Sequence, residues 1–119
     1  MKQVEFYFDL GSPYSYLGFF QIQKIAQQHQ AEVIWKPMLL GGVFKATGNN
    51  SPMMVPAKAA YSMKDMARWA KYWHIPVQMN PNFPINTLQL MRLITAVQLH
   101  QPEDLVRILA GLFNAMFGE

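Results

Sequence analysis

The chain carries strand signals only ahead of Met38, and this limits what it can build more than any other feature. From Val4 to Phe8, the apolar Val4, Phe6 and Phe8 alternate with Glu5 and Tyr7, the pattern of a half-buried strand. Glu32 to Lys36 reads as a second strand centred on Val33, Ile34 and Trp35, with Pro37 ending it or marking an edge. Between them, Tyr16, Leu17, Phe20 and Ile25 are spaced for a helix running to about Gln28. A strand, a helix and a strand within about 35 residues predict a right-handed βαβ unit with parallel strands. Two parallel strands alone make a poor sheet, because both faces and both edges need cover.

The remainder reads as loop and helix. Gly41 to Pro52 is rich in Gly, Asn and Ser and is expected to be a loop. Pro56 to Trp73 follows as a helix with Met66, Trp69, Ala70 and Trp73 on one face, opposite Lys64, Arg68 and Lys71. The stretch Ile75 to Pro84 contains Pro76, Pro81 and Pro84 and is expected to be irregular. Thr87 to Leu99 is helical with a narrow polar stripe (Gln89, Arg92, Thr95, Gln98), so it is expected to be largely buried. A last helix opens at Pro102, with Glu103 and Asp104 favourable to its dipole. It is expected to bury Leu105, Ile108, Leu109, Leu112, Phe113 and Met116. The division expected is residues 1–44 for the βαβ unit and 45–119 for the helical part.

Composition removes several function classes. The 119 residues include no cysteine, which excludes disulfides, thiolate zinc sites and dithiol redox chemistry. The net charge is +3, from ten Lys and Arg scattered without a run. That suits a small anionic ligand and gives no nucleic-acid footprint. Charged residues make up only 14 %, so much of the surface is expected to be neutral or covered by a partner. No apolar run reaches roughly 18 residues, the length of a membrane span. The opening Met1-Lys2-Gln3-Val4-Glu5 has no signal-peptide core, so the default location is the cytoplasm. His29, His74 and His100 lack metal-ligand spacing.

The local feature with most chemical promise is Gly11-Ser12-Pro13, where a strand enters a turn and a helix begins. Ser12 is a good N-cap and Pro13 suits the first helical position. A hydroxyl there sits among free N–H groups at a positive helix end, a ready place for an anion such as a thiolate. Serine before proline is also ordinary capping, and spacing alone favours that reading. Asp9 precedes this turn; it either stabilises the turn or acts near Ser12, and the structural role is preferred. Lys45 could pair with a carboxylate or simply be solvated. Asn49, after Gly48, reads first as a turn residue and could also fix a ligand. Gly11-Ser12-Pro13 does not match a Gly-x-Ser-x-Gly elbow.

Phe6-Tyr7-Phe8-Asp9-Leu10-Gly11-Ser12-Pro13-Tyr14-Ser15-Tyr16-Leu17 resembles the opening of the 2-hydroxychromene-2-carboxylate isomerases, relatives of kappa-class glutathione transferases and of disulfide oxidoreductases with a helical insertion. Further matches follow in order at Lys36-Pro37, Gly41 to Asn49, Arg68-Trp69-Ala70, Ile75-Pro76, Phe83-Pro84 with Asn86, and Phe113-Asn114-Ala115. The resemblance implies an α/β, thioredoxin-like βαβ start followed by an all-helical insertion, with the C-terminal half of the thioredoxin fold absent from this chain. It implies an isomerase with glutathione as cofactor, and Ser12 as the catalytic residue where redox relatives keep a cysteine. The glutathione thiol would lie beside Ser12 and lose its proton readily there. Its thiolate would add reversibly to 2-hydroxychromene-2-carboxylate, allow rotation, and leave trans-o-hydroxybenzylidenepyruvate.

By the same resemblance Ser12 and Asn49 bind glutathione, while Lys45, Asn49 and Phe83 contact the substrate, a small anion derived from aromatic catabolism. Phe83 stands where an isomerase tyrosine can be, which puts the substrate's identity in question. His74 stands where relatives often have a helix-ending glycine, a conformation histidine adopts at modest cost. The length implies a fragment, a truncated product, or a chain completed by pairing as a homodimer or higher oligomer. Two other readings stay open: a kappa-like glutathione transferase or peroxidase, and a non-catalytic helical assembly module.

Overall fold

A computed structural model describes residues 1–118; Glu119, the last residue of the expected helical part, lies outside the described residues. Strand β1 (Lys2–Phe8) leads into helix α1 (Pro13–Gln28) and strand β2 (Ala31–Pro37). The strands pair in parallel, with Phe6 opposite Trp35 and Phe8 opposite Pro37. Helices α2 (Leu40–Thr47), α3 (Pro56–Trp73), α4 (Leu88–His100) and α5 (Leu105–Phe117) follow, with single 3-10 turns at Pro52–Met54 and Pro102–Asp104. This is an α/β, thioredoxin-like fold with five helices and a small parallel sheet.

The core lies where α5 returns to the βαβ unit. Phe113 of α5 meets Phe19 of α1 at 5.1 Å between ring centroids, and Phe8 and Tyr16 at 6.2 Å each. Trp35 of β2 closes the cluster edge-on to Phe8 at 6.1 Å. Phe8, Leu10, Ile94, Leu109 and Phe113 are wholly shielded from solvent. Each such side chain contributes about 1.5–3 kcal/mol by leaving water. The Tyr16 hydroxyl donates to the carbonyl of Pro76, tying α1 to the irregular stretch that follows α3. On α1 the buried residues include Phe19 and Ala26, while Phe20 and Ile25 remain exposed. The helical spacing was right, but the helix turns a neighbouring stripe to the core.

Two expectations are corrected. Gly41 to Thr47 belongs to α2 rather than to a loop. Its first amide is bound by the Asp9 carboxylate, 31 positions away. It ends at Gly48 with φ +71°, a left-handed conformation that glycine adopts without a Cβ clash. Helix α4 is not largely buried: Met91, Ile94 and Val97 face the core, whereas Leu93 is 48 % and Leu99 71 % exposed. The narrow polar stripe showed that two faces were apolar; among the described residues only one of them is covered.

The remaining elements follow the sequence. Helix α3 begins at Pro56 and ends before His74, whose φ of 56° is left-handed. Its Trp69 stacks on Trp73 at 4.5 Å yet stays partly exposed. Helix α5 buries Leu105, Leu109, Phe113, Met116 and Phe117, with Ile108 and Leu112 half-buried. None of the described helices is long and apolar enough to cross a membrane.

Candidate functional site

The end of β1 and the start of α1 form a compact turn. The Ser12 N–H donates to the Asp9 carbonyl at 3.0 Å, and the Ser12 carbonyl accepts the Tyr16 N–H at 3.1 Å. Ser12 is the N-cap of α1, in extended conformation, and its Oγ accepts the Ser15 N–H at 3.1 Å. The Ser12 hydroxyl hydrogen has no acceptor among the described residues, and neither has the Tyr14 N–H of the first helical turn. Pro13 has no N–H to offer. Two donors therefore stand at the positive end of a 16-residue helix. Ser15 turns the other way, its Oγ accepting the Asp9 N–H at 3.3 Å.

Asp9 is 4 % exposed and joins three segments through one carboxylate. Oδ1 accepts the Gly11 N–H at 2.9 Å, an Asx-turn, and the Thr87 hydroxyl at 2.6 Å. Oδ2 accepts the Leu40 N–H at 2.8 Å. Gly11 sits close to its neighbours: a Cβ there would lie 3.0 Å from Thr87 Cγ2 and 3.4 Å from Asp9 Oδ1, so a larger residue needs those side chains to give by a few tenths of an ångström. The Leu10 N–H points to the Met91 sulfur at 3.4 Å, which fixes the turn against α4.

A cleft of about 520 Å³ opens over this turn. Ser12, Pro13 and Tyr14 form its floor, Leu40 to Gly42 and Phe44 of α2 form one wall, and Phe83 to Thr87 form the opposite wall. Met53 and Met66 close the side next to α3. The lining is mostly apolar, and Asp9, already engaged by three donors, is its single acidic or basic side chain among the described residues. The bond between Phe83 and Pro84 is cis. At the mouth, the Tyr14 hydroxyl donates to Asp65 Oδ2 of α3 at 2.7 Å. Partial burial, reinforced by the Asp65 carboxylate, holds the Tyr14 phenol above the ordinary tyrosine value. Free donors at a helix start in an apolar cleft suit a sulfur anion carried by an organic ligand.

Of the residues singled out in the sequence, Ser12 and Phe83 line this cleft together. Lys45 and Asn49 do not line it: both are exposed, Lys45 in the last turn of α2 and Asn49 just beyond its cap. The Asn49 N–H donates to the Phe44 carbonyl and its side-chain oxygen accepts the Asn50 N–H. Sequence reasoning missed Thr87, the Tyr14–Asp65 link and the reach of Asp9 beyond its own turn. An aspartate two residues before a glycine does signal an Asx-turn; nothing local signals partners 31 and 78 positions away.

Residues 3–119 match the family model described as the DSBA-like thioredoxin domain. Glutathione S-transferase kappa 1 of Caenorhabditis elegans is 35 % identical over 90 % of this chain and 50 % of its own length. The 2-hydroxychromene-2-carboxylate isomerase of Pseudomonas putida is 30 % identical over 98 % of this chain and 56 % of its own. The solved structure of a 2-hydroxychromene-2-carboxylate isomerase superimposes with a TM-score of 0.80 at 28 % identity, covering 98 % of this chain and 56 % of that one. The chain thus spans about half the length of the relatives it matches. With the family model matched over residues 3–119 and the fold superimposing over 98 % of its length, the chain belongs to the DSBA-like thioredoxin domain family.

Proposed function

We propose that this chain supplies the serine-bearing part of a glutathione-dependent enzyme that isomerises 2-hydroxychromene-2-carboxylate to trans-o-hydroxybenzylidenepyruvate. The observation that carries the reading is the Ser12 hydroxyl, fixed as the α1 cap with its hydrogen uncommitted, on the floor of an apolar cleft. When bound, glutathione would supply a thiol whose reversible addition to the substrate turns a double bond into a rotatable single bond.

The protein's own part is to hold and to exclude. The Ser12 O–H and the Tyr14 N–H, at the positive end of α1, favour the ionised over the protonated sulfur. Phe44, Met66 and Phe83 offer apolar surface to an aromatic substrate and keep water off the reacting atoms. Lys45 is assigned to the substrate carboxylate, Asn49 to glutathione and substrate, and Phe83 to the substrate ring. Support for Lys45 comes from Gly41 and Gly42, one turn earlier on its own face of α2, which line the cleft.

The division into residues 1–44 and 45–119 belongs to the same reading, with α2 spanning the join. So does a homodimer or higher oligomer, motivated by the exposed Leu93 and Leu99 of α4. A cytoplasmic location completes it, since glutathione there is kept reduced.

The test is the ultraviolet absorbance of 2-hydroxychromene-2-carboxylate mixed with the protein, with and without glutathione. A glutathione-dependent approach to the trans isomer, with total glutathione unchanged, is expected. Ser12→Ala should lower that rate by about a hundredfold or more, the scale for losing a donor to a developing anion. It should lower stability by only about 1 kcal/mol, the worth of a cap. A fully active Ser12→Ala protein would remove Ser12 from the chemistry. A second reading is favoured by the higher identity to the kappa transferase, 35 % against 30 %. In that case glutathione is consumed as a stable conjugate.

A further inference from the structure

We infer that Asp9 is a positioning residue: its carboxylate holds the α2 wall of the cleft to the Ser12 turn, and so sets how tightly substrate is gripped. The function it serves rests on the reading of the cleft as a glutathione-dependent site; the coupling itself rests on geometry alone.

Helix α2 needs such a tie. It is eight residues long and buries no side chain, and its N-cap, Leu39, offers no side-chain acceptor. A helix this short is not stable by itself in water. The Leu40 N–H, one of its orphan donors, is met by Asp9 Oδ2 at 2.8 Å. The other oxygen of the same carboxylate takes the Gly11 N–H at 2.9 Å and the Thr87 hydroxyl at 2.6 Å. Gly11 precedes Ser12, and Thr87 ends the Phe83–Thr87 wall. One planar group therefore fixes the floor and both walls against each other. Three donors converge on a 4 % exposed anion, and bonds of this charge-assisted kind are about twice as strong as neutral ones. The two oxygens of the carboxyl group offer acceptors to all three donors. An amide has one acceptor oxygen and one donor group, so it cannot satisfy Gly11 and Leu40 together.

The decisive variant is Asp9→Asn, read by amide hydrogen exchange and by kinetics on the whole chain. The single carbonyl oxygen is expected to stay with Gly11 and Thr87, the side that presents two donors. The Leu40 amide then loses protection by about tenfold or more, the cost of a lost hydrogen bond to a charged group. The Leu109 and Phe113 amides of α5 should keep theirs. With the Ser12 turn retained, kcat should change little while KM rises severalfold, a split that general destabilisation does not give. Thr87→Val, which keeps the carboxylate, should loosen the Phe83–Thr87 wall and leave Leu40 protected, and Thr87→Ser should restore the original behaviour.

Unchanged exchange at both Leu40 and Gly11 in Asp9→Asn would overturn the inference, as would uniform loss of protection through α5. If Asp9→Asn does not fold, Thr87→Val against Thr87→Ser decides: equal exchange along the Phe83–Thr87 wall and equal KM in the two would also overturn it. Should the unaltered protein show no turnover and bind no glutathione, the functional reading falls, while the exchange result still decides whether Asp9 holds α2 to the Ser12 turn.

Discussion

The two helices that flank the cleft are anchored in opposite ways. Helix α1 drives Tyr16, Leu17 and Phe19 into the core, where Phe113 meets two of them at 5.1 and 6.2 Å. Its start is capped by its own Ser12. Helix α2 buries no side chain fully, only half-burying Leu40 and Phe44, and is tied at one end by Asp9 and at the other by Gly48. A packed helix is held by many weak contacts, and any one can be lost at partial cost. A helix on two hydrogen-bonded ends has no such reserve. The floor of the cleft, which carries Ser12, is therefore the fixed part, and the α2 wall is the part a ligand or a single substitution can move.

The strongest way to break this contrast is to attack the fixed side. Phe113→Ala removes the ring shared by Phe8, Tyr16 and Phe19, and should destabilise the whole chain by about 3–5 kcal/mol. Chemical denaturation would show it as a lower midpoint with one cooperative transition. A second, separate transition for α1 would mean that the floor is not part of the main core. Gly48→Ala attacks the other side. At φ +71° a Cβ meets no neighbour, so the cost is backbone strain alone, about 1 kcal/mol. It should appear as faster amide exchange at the end of α2, with the α5 amides unaffected. Equal loss in both places would erase the distinction between the two helices.

What the sequence disclosed follows the same division. The start of α1 was readable because cap, proline and first turn are neighbours in the chain: Ser12, Pro13 and Ser15 complete the motif by themselves. Both strands and the bounds of α3 were readable for the same local reason. Helix α2 was not, because Gly41 and Gly42 lower helix propensity and its first amide is satisfied from Asp9. Periodicity gave α4 its bounds to within a residue and misjudged its cover, since a pattern reports which faces are apolar and not what lies against them. Within the cleft, Ser12 and Phe83 were found, one through its cap and the other through the family resemblance. Thr87 was missed because its meaning lies in a bond to a residue 78 positions earlier.

A smaller effect sharpens the contrast at the mouth of the cleft. Tyr14 belongs to the fixed floor, and its hydroxyl reaches Asp65 of α3 at 2.7 Å. Partial burial first, then the Asp65 carboxylate, raise the Tyr14 pKa in the folded state. Between the unfolded value, near 10, and the higher folded value, the unfolded chain has lost this proton while the folded chain keeps it. The stabilisation is thus fully present below about pH 10 and is lost as pH rises through the folded value. Tyr14→Phe should remove that decline and cost about 0.5 kcal/mol at neutral pH, a low figure because the ring is 43 % exposed. Tyr7, whose phenol is also held up by Glu5, is present in both proteins, so the difference between their stability curves isolates Tyr14. Curves that stay parallel above pH 10 would mean that neither burial nor the Asp65 bond favours the protonated Tyr14 in the folded chain. Helix α3 would then be held at the cleft by Met66 in the core rather than by a bond at the mouth.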